Sequence, residues 1–475
     1  MAKDVKPIKL VGGNHFGRYN KISSEETFNM IVSEGALVNY GGYEAVNVDL
    51  PLGVVGRGSI VSSFTNKLFV CIGSIIYEVL SDYGLLYVGT IGSEIGKVFF
   101  AEGNDDRIIL CDGSKLYYFL NTGIGFAEVT AVTGVFVPVY VTYQSSRYIA
   151  VTDDGKWRLS SVDDPTITWP TGNIGKMNTV ADKTQVVVPI PTRGASLFVI
   201  GRNSTEQWSI GNSPVFPYQK NISFSLGFGI ANRDTIATLN DSIAWMGYNS
   251  NSGFSLFAFV NGQLEKISTE GIDYRLQNLQ YPLECTGFMF RMNGHVFYQI
   301  TWPKDNVTYF YDFASGEFFT ATNHTLNYHD AQSIVQWNNK FIMLSLRYGS
   351  VYRFDDDIYT QDGQAVPQWR ITPPYRQSDQ NYFIVNYLSF MIESGEDNPI
   401  TSADTPDMAI DLSISNDGGR TFSGTMRNYL PAQGIRTNKN IFWSLGMMND
   451  CTFKLQFSGH SRFIIFDGQA EIRGL

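Results

Sequence analysis

The chain has 475 residues, of which 43% are apolar and 14% aromatic, with 45 glycines and a net charge of −10. Only 17% of its residues are charged, which excludes a disordered chain, since those are charge-rich and aromatic-poor. Lys and Arg total 35 against 45 Asp and Glu, with no basic run, which excludes tight nucleic-acid recognition through neutralised phosphates but not passing contact with DNA.

The first fifty residues, 1–50, hold one short apolar segment among many turn residues, EETFNMIVSEGALVNYGGYEAV. They predict an extended arm laid on a neighbour or on the propeller. The opening MAKDVKPIKLVGGNHFGRYN lacks the apolar centre of a secretory signal, and no run approaches a membrane-spanning length. The expectation is a protein made in the cytosol without membrane insertion. Cys71, Cys111, Cys285 and Cys451 are widely spaced, without C-x-x-C pairs, and read as free buried thiols.

From Lys67 onward a hairpin recurs: KLFVCIGSIIYEV, RIILCDGSKLYYFL, RYIAVTDDGKWRLS, SLFVIGRNSTEQWSI, SIAWMGYNSNSGFSLFAFV, HVFYQITWPKDNVTYFYDF and KFIMLSLRYGSVYRF. Each unit is an apolar run, a Gly/Asn/Asp/Ser turn that tolerates positive φ, and an aromatic-rich strand. The first apolar residues are Leu68, Ile108, Tyr148, Leu197, Ile243, Val296 and Phe341, at intervals of 40, 40, 49, 46, 53 and 45 residues. That period is the period of propeller blades, each of which buries its faces only by stacking on its neighbours. An all-β fold follows, with a β-propeller of six or seven blades over 51–370 whose ring is open to closure by strands from both chain ends. The competing architecture is a set of unrelated β-sandwiches.

The repeat fades after FDDDIYTQDGQAVPQ, and TPPYRQSDQ at 372–380 places Pro-Pro where no sheet interior can continue. Residues 371–475 read as alternating strands and turns, a C-terminal β-sheet or sandwich domain.

Within that domain, SNDGGRTF at 415–422 has the pattern S-x-D-x-G-x-T-F, which looks like the Asp-box of sialidases. Local chemistry explains it without catalysis. Ser415, Asp417 and Thr421 can satisfy backbone N–H groups, Gly419 supplies a conformation other residues resist, and Phe422 plugs the neighbouring core. It is read as a structural turn. A sialidase needs an arginine clamp, a Tyr/Glu nucleophile pair, an acidic proton donor and an Arg-Ile-Pro motif; no Arg-Ile-Pro occurs, and TDDGKW at 152–157 is a degraded box without the spacing.

The other candidates are weaker. His15, His295, His324, His329 and His460 include one close pair, His324 and His329, whose five-residue spacing fits neither a strand nor a helix ligand set and reads as a surface loop. Asp355, Asp356 and Asp357 lack the alternation and central Gly of a calcium loop and read as solvated. No G-x-S-x-G, H-E-x-x-H or P-loop is present. No catalytic, cofactor or metal residue is assigned.

Two regions together carry a family resemblance: GRYNKISSEETFNMIVSEGALVNYGGYEAV at 17–46, and LSISNDGGRTFSGTMRNYLPAQG at 412–434 continued by FWSLGMMNDCTFKLQFSGHSRFIIFDGQAEI at 442–472. The chain resembles the packaged-DNA stabilisation proteins of short-tailed bacteriophages, which are tail hub or nozzle proteins. The resemblance implies a non-enzymatic virion tail protein, assembled in the host cytoplasm. It further implies a homo-oligomeric ring, typically a hexamer, below the portal and its adaptor protein. That ring would extend the DNA channel, retain packaged double-stranded DNA, and carry a tail spike or fibre and a needle or plug. The alternative is a carbohydrate-binding or sialidase-like β-propeller.

Overall fold

Each of the seven sequence hairpins forms the second and third strands of its own antiparallel sheet in the computed structural model. The structure describes residues 4–17, 24–47, 53–132, 135–166, 168–190, 194–213, 216–377, 381–394, 408–430, 437–458 and 462–474. Blade one is built from Gly56–Val61, Leu68–Ile72, Ile75–Val79 and Leu85–Thr90, and blade two from Phe99–Glu102, Arg107–Cys111, Leu116–Leu120 and Ala127–Glu128. Blades three and four start at Pro138–Gln144 and Val186–Ile190. Blade five has a split inner strand, Gly229–Ile230 and Ala237–Leu239, both paired with Ser242–Asn249. Blades six and seven start at Thr286–Met292 and Ala331–Trp337. Among the described residues the propeller therefore has seven blades. Their apolar strands are buried along their whole length, as in LFVCI at 68–72, because each sheet is covered by a neighbour on both faces. Aromatic rings fill the wedge between blades four and five, where Phe198 lies 5.3 Å from Phe259.

The fourth strand of blade seven comes from the other end of the chain. Gly42–Asn47 pairs antiparallel with Val351–Asp355, setting Tyr43 opposite Phe354 and Ala45 opposite Tyr352. The NYGGY segment is shaped for this seam. A Cβ on Gly42 would meet the Thr360 carbonyl oxygen at 2.1 Å, so a side chain is impossible there. Tyr40 stacks on Phe310 at 4.4 Å and donates to Gln299 Oε1 at 2.9 Å. Tyr43 donates to Asp330 Oδ2 at 2.8 Å.

The rest of the arm is woven into a two-sheet sandwich with the C-terminal segment. One sheet runs Met30–Ser33, Ala36–Asn39, Phe463–Gly474, Phe383–Ser394, Thr437–Met448, with Asp4–Ile8 also on Phe463–Gly474. The other runs Ser24–Phe28, Gln368–Ile371, Thr452–Ser458, Ala409–Ser415, Met426–Tyr429. Leu10, Leu37, Phe383, Leu388, Leu412 and Leu455 close the core between them, each fully buried. A parallel bridge from Phe28 to Thr320 makes the second sheet continuous with blade six.

At this junction sits Arg370, fully buried. It donates to the carbonyls of Leu10 at 2.8 Å and Gly13 at 3.0 Å, to Thr27 Oγ1 at 3.0 Å, and to Glu25. Burial disfavours its charge and lowers its pKa, and the Glu25 carboxylate offsets only part of that cost.

His329 departs from the surface loop that its spacing suggested. Asn323 Oδ1 accepts the N–H groups of Thr325 and Asn327, both at 3.0 Å, which curls the segment so that His324 stays outside and His329 turns in. His329 has no exposed surface and its Nδ1 accepts from Gln299 Nε2 and the Ala331 N–H, both at 3.3 Å. Burial pushes its pKa down from 6.5 to about 4. Between these values the unfolded chain binds a proton that the folded chain does not, so stability falls as pH drops through that window, by about 3 kcal/mol in total. Denaturant midpoints between pH 7 and 4 should show this slope in the native chain and a shallower one in His329→Gln.

Candidate functional site

The Asp-box-like turn joins Ala409–Ser415 to Met426–Tyr429 in the second sheet of the sandwich. Asp417 Oδ1 accepts the N–H groups of Arg420 and Thr421, both at 2.9 Å, and Oδ2 accepts Thr421 Oγ1–H at 2.6 Å. Ser415 Oγ donates to Asp417 Oδ1 at 2.6 Å and accepts the Gly419 N–H at 2.8 Å. Gly419 has φ +87°, a conformation that L side chains resist. Hydrogen bonds from the Ser415 and Thr421 hydroxyls hold the Asp417 carboxyl well below the usual carboxylate range. Phe422 is half-buried with Lys454 Nζ 5.9 Å above its ring, and it is not among the buried side chains of the sandwich core.

The same device recurs in the propeller hairpins. Asp112 Oδ1 accepts the Ser114 and Lys115 N–H groups, and Asp154 Oδ1 accepts the Lys156 N–H in the degraded box of blade three. A carboxylate that closes a turn on its own following backbone needs no substrate to explain it.

The axis of the propeller is the second candidate. A cavity of about 450 Å³ opens where the innermost strands of blades one, two, six and seven begin, lined by Arg57, Lys97, Asp234, Cys285 and Gln332. That volume suits a small molecule. Cations stitch the ring together here. Lys97 Nζ, from blade two, donates to the carbonyls of Asp234 at 2.9 Å and Gly287 at 2.7 Å, in blades five and six. Burial pushes the Lys97 pKa down to about 8. Arg233 reaches the Val139 carbonyl and Gln185 Oε1, both at 3.4 Å, beside blades three and four. Arg57 places its five N–H groups on the Gly96, Gly73, Ser93 and Ile95 carbonyls and on Ser93 Oγ, at 2.6–2.8 Å. It has none left to clamp a substrate carboxylate.

The remaining sequence candidates do not converge on either place. Asp355, Asp356 and Asp357 bring three carboxylates within 4.8 Å of one another on a partly exposed loop, and burial followed by these neighbours raises the Asp356 pKa. All four cysteines are buried and unpaired. His460 lies outside the described residues.

A family model described as bacteriophage P22 Gp10, beta-propeller, matches residues 24–359. The chain belongs to this family. The match takes in all seven blades and the arm from Ser24, including the strand that closes blade seven. The C-terminal motifs at 412–434 and 442–472 lie beyond it. As a member of the P22 Gp10 family, the chain is a phage structural protein. No curated protein matches the chain. Among solved structures, the WD40 propeller domain of Doa1 is 11% identical with a TM-score of 0.40, covering 66% of this chain and 97% of that one. YCF48 from Cyanidioschyzon merolae is 14% identical with a TM-score of 0.42, covering 66% and 98%. A virginiamycin B lyase from Staphylococcus aureus is 10% identical with a TM-score of 0.42, covering 66% and 97%.

Replacing Asp417 with Ala leaves the Arg420 and Thr421 N–H groups to water and should lower the melting temperature by about 1–2 °C. Arg420→Ala, which removes an exposed side chain but keeps its N–H, should leave the melting temperature unchanged.

Proposed function

We propose that the chain is the hub, or nozzle, subunit of a short-tailed phage tail. Copies form a ring, a hexamer, beneath the portal and its adaptor. The ring extends the DNA channel, helps retain the packaged genome, and anchors a spike or fibre and a needle or plug. The observation that carries this reading is the family match over residues 24–359.

Two physical features support it. The axial cavity of a single propeller is of small-molecule size, and even the major groove of B-DNA is about 12 Å wide, so a duplex must travel between copies rather than through one. A chain carrying −10 charge gives such a passage few cations with which to trap phosphates. Among the described residues no helix is long and apolar enough to cross a membrane. The working division we propose is an arm at 1–50, a propeller at 51–370 and a C-terminal domain at 371–475. In it Ser415, Asp417, Gly419, Thr421 and Phe422 form a structural turn. Against the sugar-cleaving alternative, Arg57, the arginine lining the axial cavity, already has its N–H groups on carbonyls and on Ser93 Oγ.

Averaged images of the chain bound to the portal complex should show a symmetric ring on the tail axis with a central opening wide enough for duplex DNA. A single copy bound off the axis would overturn the hub reading.

A further inference from the structure

The fold assembles a constellation that no local motif could disclose. Asp312 is the last residue of Val307–Asp312 in blade six and has no exposed surface. Its carboxylate accepts the N–H groups of Ala314 at 3.0 Å and Ser315 at 3.1 Å, and its Oδ2 lies 2.9 Å from His295 Nδ1. A carboxylate can only accept, so Nδ1 carries the proton and Nε2 presents a lone pair. That Nε2 lies 3.1 Å from Ser33 Oγ, on the Met30–Ser33 strand of the arm. The imidazole is stacked on Phe297 with 6° between planes, which fixes its orientation. Ser33 and His295 open into a cavity of about 110 Å³ that Asn39, Asn293 and Arg462 also line. Nucleophile, base and orienting carboxylate thus follow one another at hydrogen-bond distance, beside a space for a reacting group.

We propose that Ser33 is an activated nucleophile and that this pocket hydrolyses short-chain carboxylic esters, a function separate from the hub role and independent of it. Ser33 Oγ attacks the ester carbonyl carbon while its proton passes to His295 Nε2. The C–O bond to the alcohol breaks, the alcohol oxygen takes that proton from His295, and an acyl-Ser33 ester remains. Water repeats the sequence: its proton goes to His295, its oxygen bonds to the acyl carbon, and Ser33 leaves as the free hydroxyl with a carboxylic acid as product. Asp312 is a positioning residue that holds the reactive tautomer. Asn39 and Arg462 line the same pocket and supply side-chain donors for the developing oxyanion, while Asp356, also in the lining, accepts from Asn293 Nδ2 at 2.6 Å. At about 110 Å³ the pocket is small, which favours an acetyl or similarly short acyl group.

The test is acylation of the full chain by p-nitrophenyl acetate, with peptide mass spectrometry to locate the acetyl group. The expected result is a burst of p-nitrophenolate of one equivalent per chain and an acetyl group on Ser33. Ser33→Ala, which removes one oxygen, should abolish the burst, and His295→Gln should slow it about a hundredfold or more. The native chain should show a downfield Nδ1–H proton resonance that vanishes in Asp312→Asn. Acetylation confined to other residues, or a Ser33 rate unchanged in His295→Gln, would overturn the proposal. So would no acetylation of a chain whose melting temperature falls in Ser33→Ala, because the Ser33–His295 bond would then be only a clasp between arm and blade. None of these outcomes bears on ring formation.

Discussion

Everything in this molecule depends on a strand contributed from the far end of the sequence. Seven blades stacked around an axis leave one gap, between the first and the last, and a hairpin repeat alone cannot bridge it. Gly42–Asn47 fills it by pairing with Val351–Asp355. The cost is the ordering entropy of a contact across some three hundred residues, and the return is a ring that opens only if a sheet ladder breaks. The same arm then runs through both sheets of the sandwich, where Arg370 ties the Leu10 and Gly13 carbonyls and Glu25 to the strand that follows the propeller. One segment thus makes propeller and sandwich a single mechanical body.

That construction suits a structural role. Inside the ring, Lys97 and Arg233 spend N–H groups on carbonyls of blades across the axis, and Arg57 spends its own on blade one and the segment leading to blade two, so the charges that could have bound a ligand hold the blades in register instead. The turn aspartates do the same in their hairpins: Asp112, Asp154 and Asp417 bind the backbone that follows them. Polar groups that look catalytic in a sequence are, in this chain, mostly satisfied by the fold. The Ser33, His295 and Asp312 set differs in that its serine remains half-buried beside a cavity.

The propeller was legible because its signal is local and repeated. Each central hairpin carries its own apolar run, turn and aromatic strand, so Leu68, Ile108 and Tyr148 mark blades without reference to anything distant. The hydrogen bonds of Asp417 are just as local, since their partners lie within four residues. An extended arm was legible, but the sheets it joins were not, because its strands are short and become strands only by adding to sheets formed hundreds of residues later. The burial of His329 was hidden by a loop whose curl depends on Asn323. The meeting of Ser33 with His295 was hidden by a sequence separation of 262 residues. The helix Glu270–Gln277 also went unread, its eight residues carrying only a weak apolar stripe of Ile272 and Leu276.

Hydrogen exchange of the native chain, read by mass spectrometry, tests the central claim most directly. If the arm is an integral part of both halves, the amides of 24–47 will exchange only through the same opening that exposes 351–355 in blade seven and 463–474 in the sandwich. Exchange of 24–47 well ahead of those strands, with both still protected, would show that the ring and the sandwich hold without the arm and would contradict the account.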